Sequence, residues 1–147
     1  MPAQRLLQGA HDLLRPQLEK SAIELKLETA ESLWVRADAQ QLKQVLINLI
    51  QNSADSIGRD GVITLRARRQ SADVILEVTD NGKGIPPDVQ TRLFDPFFTT
   101  KAGGTGLGLP IALRIVEKHG GKLRYQTAPN RGTTFRVALP EINNNES

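Results

Sequence analysis

Residues 62–79 read VITLRARRQSADVILEVT, and this stretch decides the class of fold. Residues 62–67 and 74–79 alternate between apolar and polar side chains, which is the pattern of strands with one buried face. The short polar link between the two runs suits a β-hairpin. The stretch therefore predicts two antiparallel strands in the middle of the chain.

A long amphipathic helix is predicted just before this hairpin. Asp38 is placed to act as its N-cap, and Gln41, three residues later, completes the pattern of a capping box. The helix is expected to end near Gly58, because its apolar stripe stops there. That stripe consists of Leu42, Val45, Leu46, Leu49, Ser53 and Ile57.

The two ends of the chain supply the remaining elements. Residues 1–20 repeat apolar side chains at a helical period, and Pro16 should kink or end that helix. Another helix is expected to begin near Ile111 and to end at the pair Gly120–Gly121, which suits a C-cap. Further strands are predicted over residues 23–28, 33–37, 123–127 and 134–139.

These elements predict an α/β protein. About six strands and three helices fit a two-layer sandwich, in which the helices cover one face of a mixed, mostly antiparallel sheet. The chain has 147 residues, so we expect one domain over residues 1–147. The polar residues of 141–147 are expected to form a disordered tail.

Composition excludes several kinds of functional site. The chain has no cysteine, and its two histidines lie far apart at His11 and His119, so thiolate and histidine metal clusters are excluded. A net charge of +3 is too small to indicate nucleic-acid binding. No apolar run is long enough to span a membrane, and no signal peptide opens the chain.

Two polar motifs stand near the predicted hairpin. Asp80 follows the second strand in the sequence DNGKG, where its carboxylate could accept a hydrogen bond from an amine of a flat base; a tight turn explains the same residues. Asn48 and Asn52 are four residues apart and share one helix face, so an amide oxygen there could bind Mg²⁺. A pair of half-exposed polar residues is the alternative.

No apolar period persists from Asp80 to Gly108, which indicates a long functional loop. Phe94, Phe97 and Phe98 lie within it, either as a clip on the core or as a docking site for a partner. Residues 103–109 read GGTGLGL and lead into a helix, an arrangement that favours phosphate binding. Neither a dinucleotide fingerprint nor a Walker loop matches, so a plain flexible loop stays equally open.

In their order and spacing these motifs resemble the N, G1, F, G2 and G3 boxes of the ATP-binding catalytic domain of sensor histidine kinases. The resemblance runs from about Asp38 to Pro140. The matching residues are Asn48 with Asn52, Asp80 with Gly82 and Gly84, Phe94 with Phe97 and Phe98, residues 104–109, and Gly132 with Thr133.

The resemblance implies a Bergerat-type fold that binds ATP or ADP with Mg²⁺. It implies that Asp80 binds the adenine amine and that Asn52 holds the metal ion. Asn48 and Lys101 are the residues implied in catalysis, and both would lie on the phosphate side. The resemblance further implies that Gly82, Gly84 and Thr133 complete the base site and that Gly104, Thr105, Gly106, Leu107 and Gly108 cradle the phosphates.

The implied activity is transfer of the γ-phosphoryl group to a histidine on a separate dimerisation and phosphoacceptor domain. That domain is the implied partner, with a response-regulator receiver domain as an indirect one. Neither nucleic acid nor a membrane is expected to touch this domain, whose implied location is the cytoplasm. On this interpretation residues 1–20 are a residual linker helix, and His11, outside any phosphoacceptor motif, is a surface residue.

Asn48 distinguishes a histidine kinase from other enzymes of the same fold. The gyrase, chaperone and mismatch-repair ATPases carry a glutamate four residues before the metal asparagine, and so do many anti-sigma serine kinases. That glutamate acts as a general base, whereas the amide of Asn48 takes no proton at neutral pH. A serine kinase and a regulatory module that binds nucleotide without transfer remain the alternatives. Asp55 stands where many similar kinases carry a lysine.

Overall fold

A computed structural model describes residues 1–29, 32–98 and 106–143 of the chain. These residues form four helices and six strands. The helices are α1 (Ala3–Glu19), α2 (Ala39–Ile57), α3 (Pro87–Gln90) and α4 (Gly108–Lys118). The strands are β1 (Ile23–Glu28), β2 (Trp34–Val35), β3 (Gly61–Gln70), β4 (Asp73–Asp80), β5 (Lys122–Ala128) and β6 (Gly132–Ile142).

The predicted hairpin is the centre of the sheet. Gln70 pairs with Asp73, so Ser71 and Ala72 form a two-residue turn, and the φ of 56° at Ser71 is typical of such turns. β6 pairs antiparallel with β4, and both β5 and β2 pair antiparallel with β6. Among these strand pairs, only β1 with β3 is parallel. The prediction of a mixed, mostly antiparallel sheet is confirmed.

The side chains of β4 separate the two faces of this sheet. Val74, Leu76 and Val78 are buried on the face that α1, α2 and α4 cover. Glu77 points to the other face, where Arg136 and Arg68 donate hydrogen bonds to it at 2.8 and 3.3 Å. Burial opposes ionisation there, but the two guanidinium groups hold the pKa of Glu77 below its usual range. The two-layer α/β sandwich is therefore confirmed.

Helix α1 is a structural part of the core, and its interpretation as a residual linker stays a prediction. Six of its residues are buried: Ala3, Leu6, Leu7, Ala10, Leu14 and Leu18. Pro16 does not end the helix, which continues to Glu19. Because Pro16 and Asp12 both lie on the exposed side, the carbonyl of Asp12 that loses its usual donor is accessible to water.

His11 is also not a plain surface residue. Its Nε2 lies 3.0 Å from the carbonyl oxygen of Leu25 in β1, and its Nδ1 lies 3.1 Å from the carboxylate of Asp12. Both partners are acceptors, and a neutral imidazole has a single N–H, so it donates to one of them at a time. The contact with Leu25 is the one that joins α1 to the edge strand β1. Only 17% of the side chain is exposed.

Helix α2 begins as predicted, but its capping box is only half formed. The carboxylate of Asp38 accepts hydrogen bonds from the backbone N–H groups of Gln40 and Gln41, at 3.0 and 3.2 Å. The N–H of Asp38 is bonded to the ring of His119 at 3.1 Å. His119, 81 positions away, thus accepts the hydrogen bond from the N–H of Asp38 that the capping box assigns to the side chain of Gln41.

Three further boundaries differ from the predictions. The one-turn helix α3 lies in the stretch that was expected to be a loop throughout. β2 covers only two residues, because only Trp34 and Val35 find partners on β6. Glu141 and Ile142 belong to β6 and pair with β2, so the tail does not begin at 141. Arg69 also donates two hydrogen bonds of 2.7 Å to the carboxylate of Glu141. Residues 144–147 lie outside the described residues.

Among the described residues, no helix combines the length and apolarity needed to cross a bilayer.

The role of α1 in the core is testable with a matched pair of leucines. Leu7 has no exposed surface, whereas 53% of Leu13 is exposed on the same helix. Leu7→Ala is expected to lower the free energy of unfolding by about 2–5 kcal/mol, since it leaves a cavity. Leu13→Ala should change it by less than about 0.5 kcal/mol. Urea unfolding measures both, and equal effects would show that α1 does not belong to the core.

Candidate functional site

A cavity of about 530 Å³ opens between α2 and the segment that follows β4. Its size lies in the range of small-molecule sites. Asn52, Asp55 and Ser56 of α2 form one wall, and residues 83–86 with Val89 and Leu93 form the other. Both motifs predicted near the hairpin therefore meet at one place.

Asp80 is the last residue of β4. It is not among the residues that line the cavity, but its carboxylate lies beside Gly82, which in turn lies against Ser56 of the cavity wall. It continues the row of Val74, Leu76 and Val78, and for this reason it is buried, with 4% of its surface exposed. Its carboxylate accepts a hydrogen bond of 2.8 Å from the N–H of Gly82. Burial raises the pKa of Asp80, and this N–H only partly offsets the effect. A buried carboxylate with free acceptor capacity is suited to bind a donor group of a ligand.

Gly82 and Gly84 allow the chain to pass close to this carboxylate. A Cβ on Gly82 would lie 2.6 Å from the hydroxyl oxygen of Ser56 and 3.0 Å from the carboxylate of Asp80. Gly84 has a φ of 77°, and a Cβ there would collide with the carbonyl oxygen of Ala128. Any side chain at either position would push the loop away, so the tight turn and the open site require the same glycines.

Thr133 faces Asp80 from the neighbouring strand, since the two residues pair in the register of β4 with β6. It is 4% exposed, and its hydroxyl lies 2.8 Å from that of Thr127. The hydroxyl of Thr127 in turn accepts a bond of 2.9 Å from the N–H of Ile85. This chain of hydroxyls joins the hairpin of β5 and β6 to the cavity wall.

Sequence reasoning missed Ser53 and Thr127 as members of the site. The Ser53 hydroxyl is buried close to Asp80 without meeting the geometry of a hydrogen bond in the described part of the chain. A serine within an otherwise apolar stripe was the signal that could have identified it. Thr127 carries no such signal, because only the register Thr127↔Thr133 brings it to the site.

Asn48 and Asn52 occupy successive turns of α2 but have different surroundings. Asn52 lines the cavity. Asn48 donates a hydrogen bond of 2.9 Å to the carbonyl oxygen of Gly108 and accepts one of 2.6 Å from Gln44. Asn48 therefore joins α2 to the first residue of α4.

The start of α4 forms the other end of the site. Gly106 has a φ of 72°, and its carbonyl oxygen accepts a bond of 3.0 Å from the N–H of Phe97. Leu107 is the N-cap of α4 and makes no side-chain cap bond, so the first N–H groups of the helix have no capping side chain. The remaining predicted residues of this loop, Lys101, Gly104 and Thr105, lie outside the described residues.

The three phenylalanines do not act together. Phe94 packs against the core, with its ring centroid 6.2 Å from that of Tyr125. Phe98 lies under the guanidinium of Arg92 at 4.5 Å. Phe97 is 75% exposed. Of the two interpretations left open for this cluster, the clip therefore applies to Phe94.

The donor atoms in the cavity fit a cation that is shared with a ligand. The amide of Asn52 and the carboxylate of Asp55 supply oxygen atoms, the ligand type that Mg²⁺ prefers. No group of three histidine, cysteine or acidic side chains that could hold a metal ion exists in residues 1–29, 32–98 and 106–143. A metal ion here would take its remaining ligands from water or from a bound molecule.

Residues 37–143 match the family of histidine kinase-, DNA gyrase B- and HSP90-like ATPases. The chain belongs to this family. Membership implies that it binds ATP, and it confirms the resemblance to the catalytic domain of sensor histidine kinases. The predicted roles of individual residues are not tested by this match.

Named relatives of this ATPase family point to sensor kinases. The sensor histidine kinase ZraS of Salmonella typhi is 42% identical over 133 residues, which are 89% of this chain and 29% of that protein. The chain thus spans less than a third of the length of this relative. The nucleotide-free catalytic domain of histidine kinase ThkA superposes with a TM-score of 0.86 at 36% identity, covering 96% of this chain and 93% of that one.

A further structure shows histidine kinase ThkA in complex with the response regulator protein TrrA. It superposes with a TM-score of 0.81 at 33% identity and covers 97% of this chain and 41% of that one.

The buried carboxylate of Asp80 predicts a pH dependence of stability. Its pKa in the folded chain is raised above the 3.8 of an exposed aspartate, so between these two pKa values the folded chain holds more protons than the unfolded chain. This group's contribution to the free energy of unfolding therefore falls as pH rises through that window. Asp80→Asn removes the contribution, so the variant should gain stability relative to the parent chain as pH rises above the 3.8 of an exposed aspartate.

Urea unfolding of both proteins at increasing pH values gives the difference directly. Other carboxylates, such as Glu77, titrate in both proteins and cancel in this comparison. Glu24→Gln, an exposed carboxyl-to-amide change on β1, is the matched control and should show no such trend. A difference between Asp80→Asn and the parent chain that stays constant with pH would contradict the prediction.

Proposed function

We propose that this chain binds Mg²⁺·ATP in the cavity beside α2 and transfers the γ-phosphoryl group to a histidine on a separate dimerisation and phosphoacceptor domain. The observation that carries the proposal is the buried carboxylate of Asp80, held at the end of β4 beside two glycines and Thr133. Family membership supports ATP as the ligand. The transfer step rests on the likeness to sensor histidine kinases.

The base end of the site is assigned to Asp80, Gly82, Gly84 and Thr133. The carboxylate accepts a hydrogen bond from the adenine amine in a place from which water is largely excluded. Gly82 and Gly84 are assigned to the same end, because a Cβ at either position would collide with neighbouring protein atoms and displace the loop that follows Asp80. The hydroxyl of Thr133, already bonded to Thr127, completes the contact through a water molecule.

The phosphate end is assigned to Asn48, Asn52 and the start of α4. The amide oxygen of Asn52 would hold Mg²⁺, which takes its other ligands from phosphates and water. The backbone N–H groups of Gly106, Leu107 and Gly108 are assigned to the phosphates, where the positive end of the helix dipole of α4 would favour an anion. Lys101, Gly104 and Thr105 remain predictions for this end.

The residues at the phosphate end favour transfer over hydrolysis. Hydrolysis requires a base to deprotonate water, and the position used for that base in related ATPases holds Asn48. Its amide is engaged with Gly108 and Gln44 and has no basic lone pair to offer. A histidine acceptor is already a nucleophile, so positioning and charge neutralisation suffice. Asp55 lines the cavity and adds no positive charge toward the phosphates.

The proposed partner is the dimerisation and phosphoacceptor domain of the parent kinase, and a receiver domain is reached indirectly. The complex of ThkA with a response regulator supports a response regulator as a partner of the parent kinase. We place the reaction in the cytoplasm, where ATP is available and a chain without cysteine needs no oxidising environment.

Asp80→Asn tests the base end. Replacing the carboxylate removes a charge-assisted acceptor, which costs on the order of 1.5–3 kcal/mol of binding, or ~10- to 150-fold in affinity for ADP. Calorimetry with Mg²⁺·ADP measures the loss, and circular dichroism checks that the variant is folded. Glu24→Gln again serves as the control, with unchanged affinity. Equal affinity of parent and Asp80→Asn would remove the assignment of Asp80.

Labelled γ-phosphate tests the transfer step. The chain incubated with γ-labelled ATP and Mg²⁺ should stay unlabelled, because His11 is bonded within the fold. Label should appear on the phosphoacceptor domain of a similar sensor histidine kinase when that domain is added. Asn52→Ala should abolish this labelling, since the metal ion loses its protein ligand. Rapid release of inorganic phosphate without labelling would instead indicate an ATPase. Label on His11 would contradict the proposal that the phosphoacceptor histidine lies on a separate domain.

A further inference from the structure

Helices α2 and α4 lie antiparallel, and a polar contact joins each end of α4 to α2 or to its N-cap residue. At the site, the side chain of Asn48 donates to the carbonyl oxygen of Gly108, at 2.9 Å. Ten residues earlier on α2 and eleven later on α4, the N–H of Asp38 donates to Nε2 of His119, at 3.1 Å. Buried Leu109, Ala112 and Val116 lie along the α4 side of this helix pair.

The partners of His119 fix the state of its ring. Nδ1 lies 2.8 Å from the carbonyl oxygen of Ile115, which only accepts hydrogen bonds. Nε2 faces the backbone N–H of Asp38, which only donates. The proton must therefore be on Nδ1, and Nε2 must present its lone pair. Each ring nitrogen has the role that its neighbour requires.

The ring of His119 supplies an acceptor that the side chain of Asp38 does not supply. As the N-cap of α2, its carboxylate accepts from the N–H groups of Gln40 and Gln41. Its own N–H cannot be satisfied from within the helix. The ring of His119, which is the C-cap residue of α4, thus completes the cap of the other helix.

Nucleotide binding acts on these two contacts differently. The proposed site uses Asn48 on the phosphate side, so its bond to Gly108 is the one that a bound phosphate would compete for. The apolar contacts between the helices are not directional and permit small sliding movements. The bond from Asp38 to His119 lies at the far end and stays available whether or not nucleotide is bound.

We propose that His119 is a positioning residue for the nucleotide site: it holds α4 in register on α2 while the first turn of α4 engages the phosphates. This proposal rests on the proposed nucleotide site. It predicts that loss of the bond to Asp38 weakens nucleotide binding, although His119 touches neither the cavity wall nor the predicted ligand contacts.

Two substitutions separate the two nitrogen atoms of the ring. His119→Asn places an amide near the position of Nδ1, where it can still bond to the carbonyl of Ile115, but it is too short to reach Asp38. His119→Gln is one methylene longer, so its amide oxygen can take the place of Nε2 as the acceptor. The asparagine variant should bind Mg²⁺·ADP about two- to tenfold more weakly than the parent chain, as expected for one hydrogen bond. The glutamine variant should stay within about twofold of the parent.

Amide hydrogen exchange at Asp38 reports on the bond itself. Exchange at this amide should be faster in His119→Asn than in the parent chain and should be slow again in His119→Gln. A second measurement does not depend on any variant: ¹⁵N chemical shifts of the His119 ring should show the proton on Nδ1, both without and with ADP. This measurement keeps the proposal testable if a variant fails to fold.

The outcomes separate this proposal from the proposed function. If the parent chain binds no ADP, both fail. If the parent and both variants bind ADP equally, the positioning role is wrong and the nucleotide site stands. If asparagine and glutamine weaken binding alike, or if the ring carries its proton on Nε2, the bond to Asp38 is not the cause and the proposal is overturned.

Discussion

The register of β4 between β3 and β6 is the constraint on which the other features depend. The same alternation that buries Val74, Leu76 and Val78 also carries Asp80 into the protein interior. A slip of one residue would turn this whole row toward the solvent face, so the register is fixed by the core long before any ligand is considered. The proposed base-binding carboxylate thus has its position enforced by hydrophobic burial. Burying the carboxylate of Asp80 removes it from water, and this desolvation raises its pKa.

The proposed nucleotide site has two ends with different physical character, the proposed base end and the proposed phosphate end. At the base end, strand pairing and buried hydroxyls leave little freedom, since Thr133 is fixed opposite Asp80 by the sheet. At the phosphate end, the contacts are between helices and involve side-chain amides, as in the bond of Asn48 to Gly108. This combination suits a nucleotide. The base does not change during the reaction and can be bound by a rigid set of contacts, whereas the phosphates change and need contacts that can shift.

The sequence indicated the fold class because its strongest patterns are local. The hairpin of residues 62–79 and the stripe of α2 can each be recognised within one element. The predictions were wrong where contacts with residues distant in the sequence determine the local structure. Pro16 would end a helix in isolation, but α1 is stabilised across it by the burial of Leu14 and Leu18. Glu141 joins β6 because Arg69 and Val35 are present on other strands. In the same way, the contact of His119 with Asp38 and that of Thr127 with Thr133 follow from helix packing and strand register, which no short sequence pattern encodes.

The burial of α1 has a consequence for how this domain can be exchanged between proteins. The family match begins at residue 37, but the core already includes Ala3, and the backbone of Met1 and Ala3 is bonded to Val35 and Leu33. Recognition by sequence family and folding as a unit therefore have different boundaries. A chimera joined at residue 37 would lose the packing of α1 on the core and the backbone bonds that Met1 and Ala3 make, whereas a junction that keeps Met1 and α1 would retain these contacts.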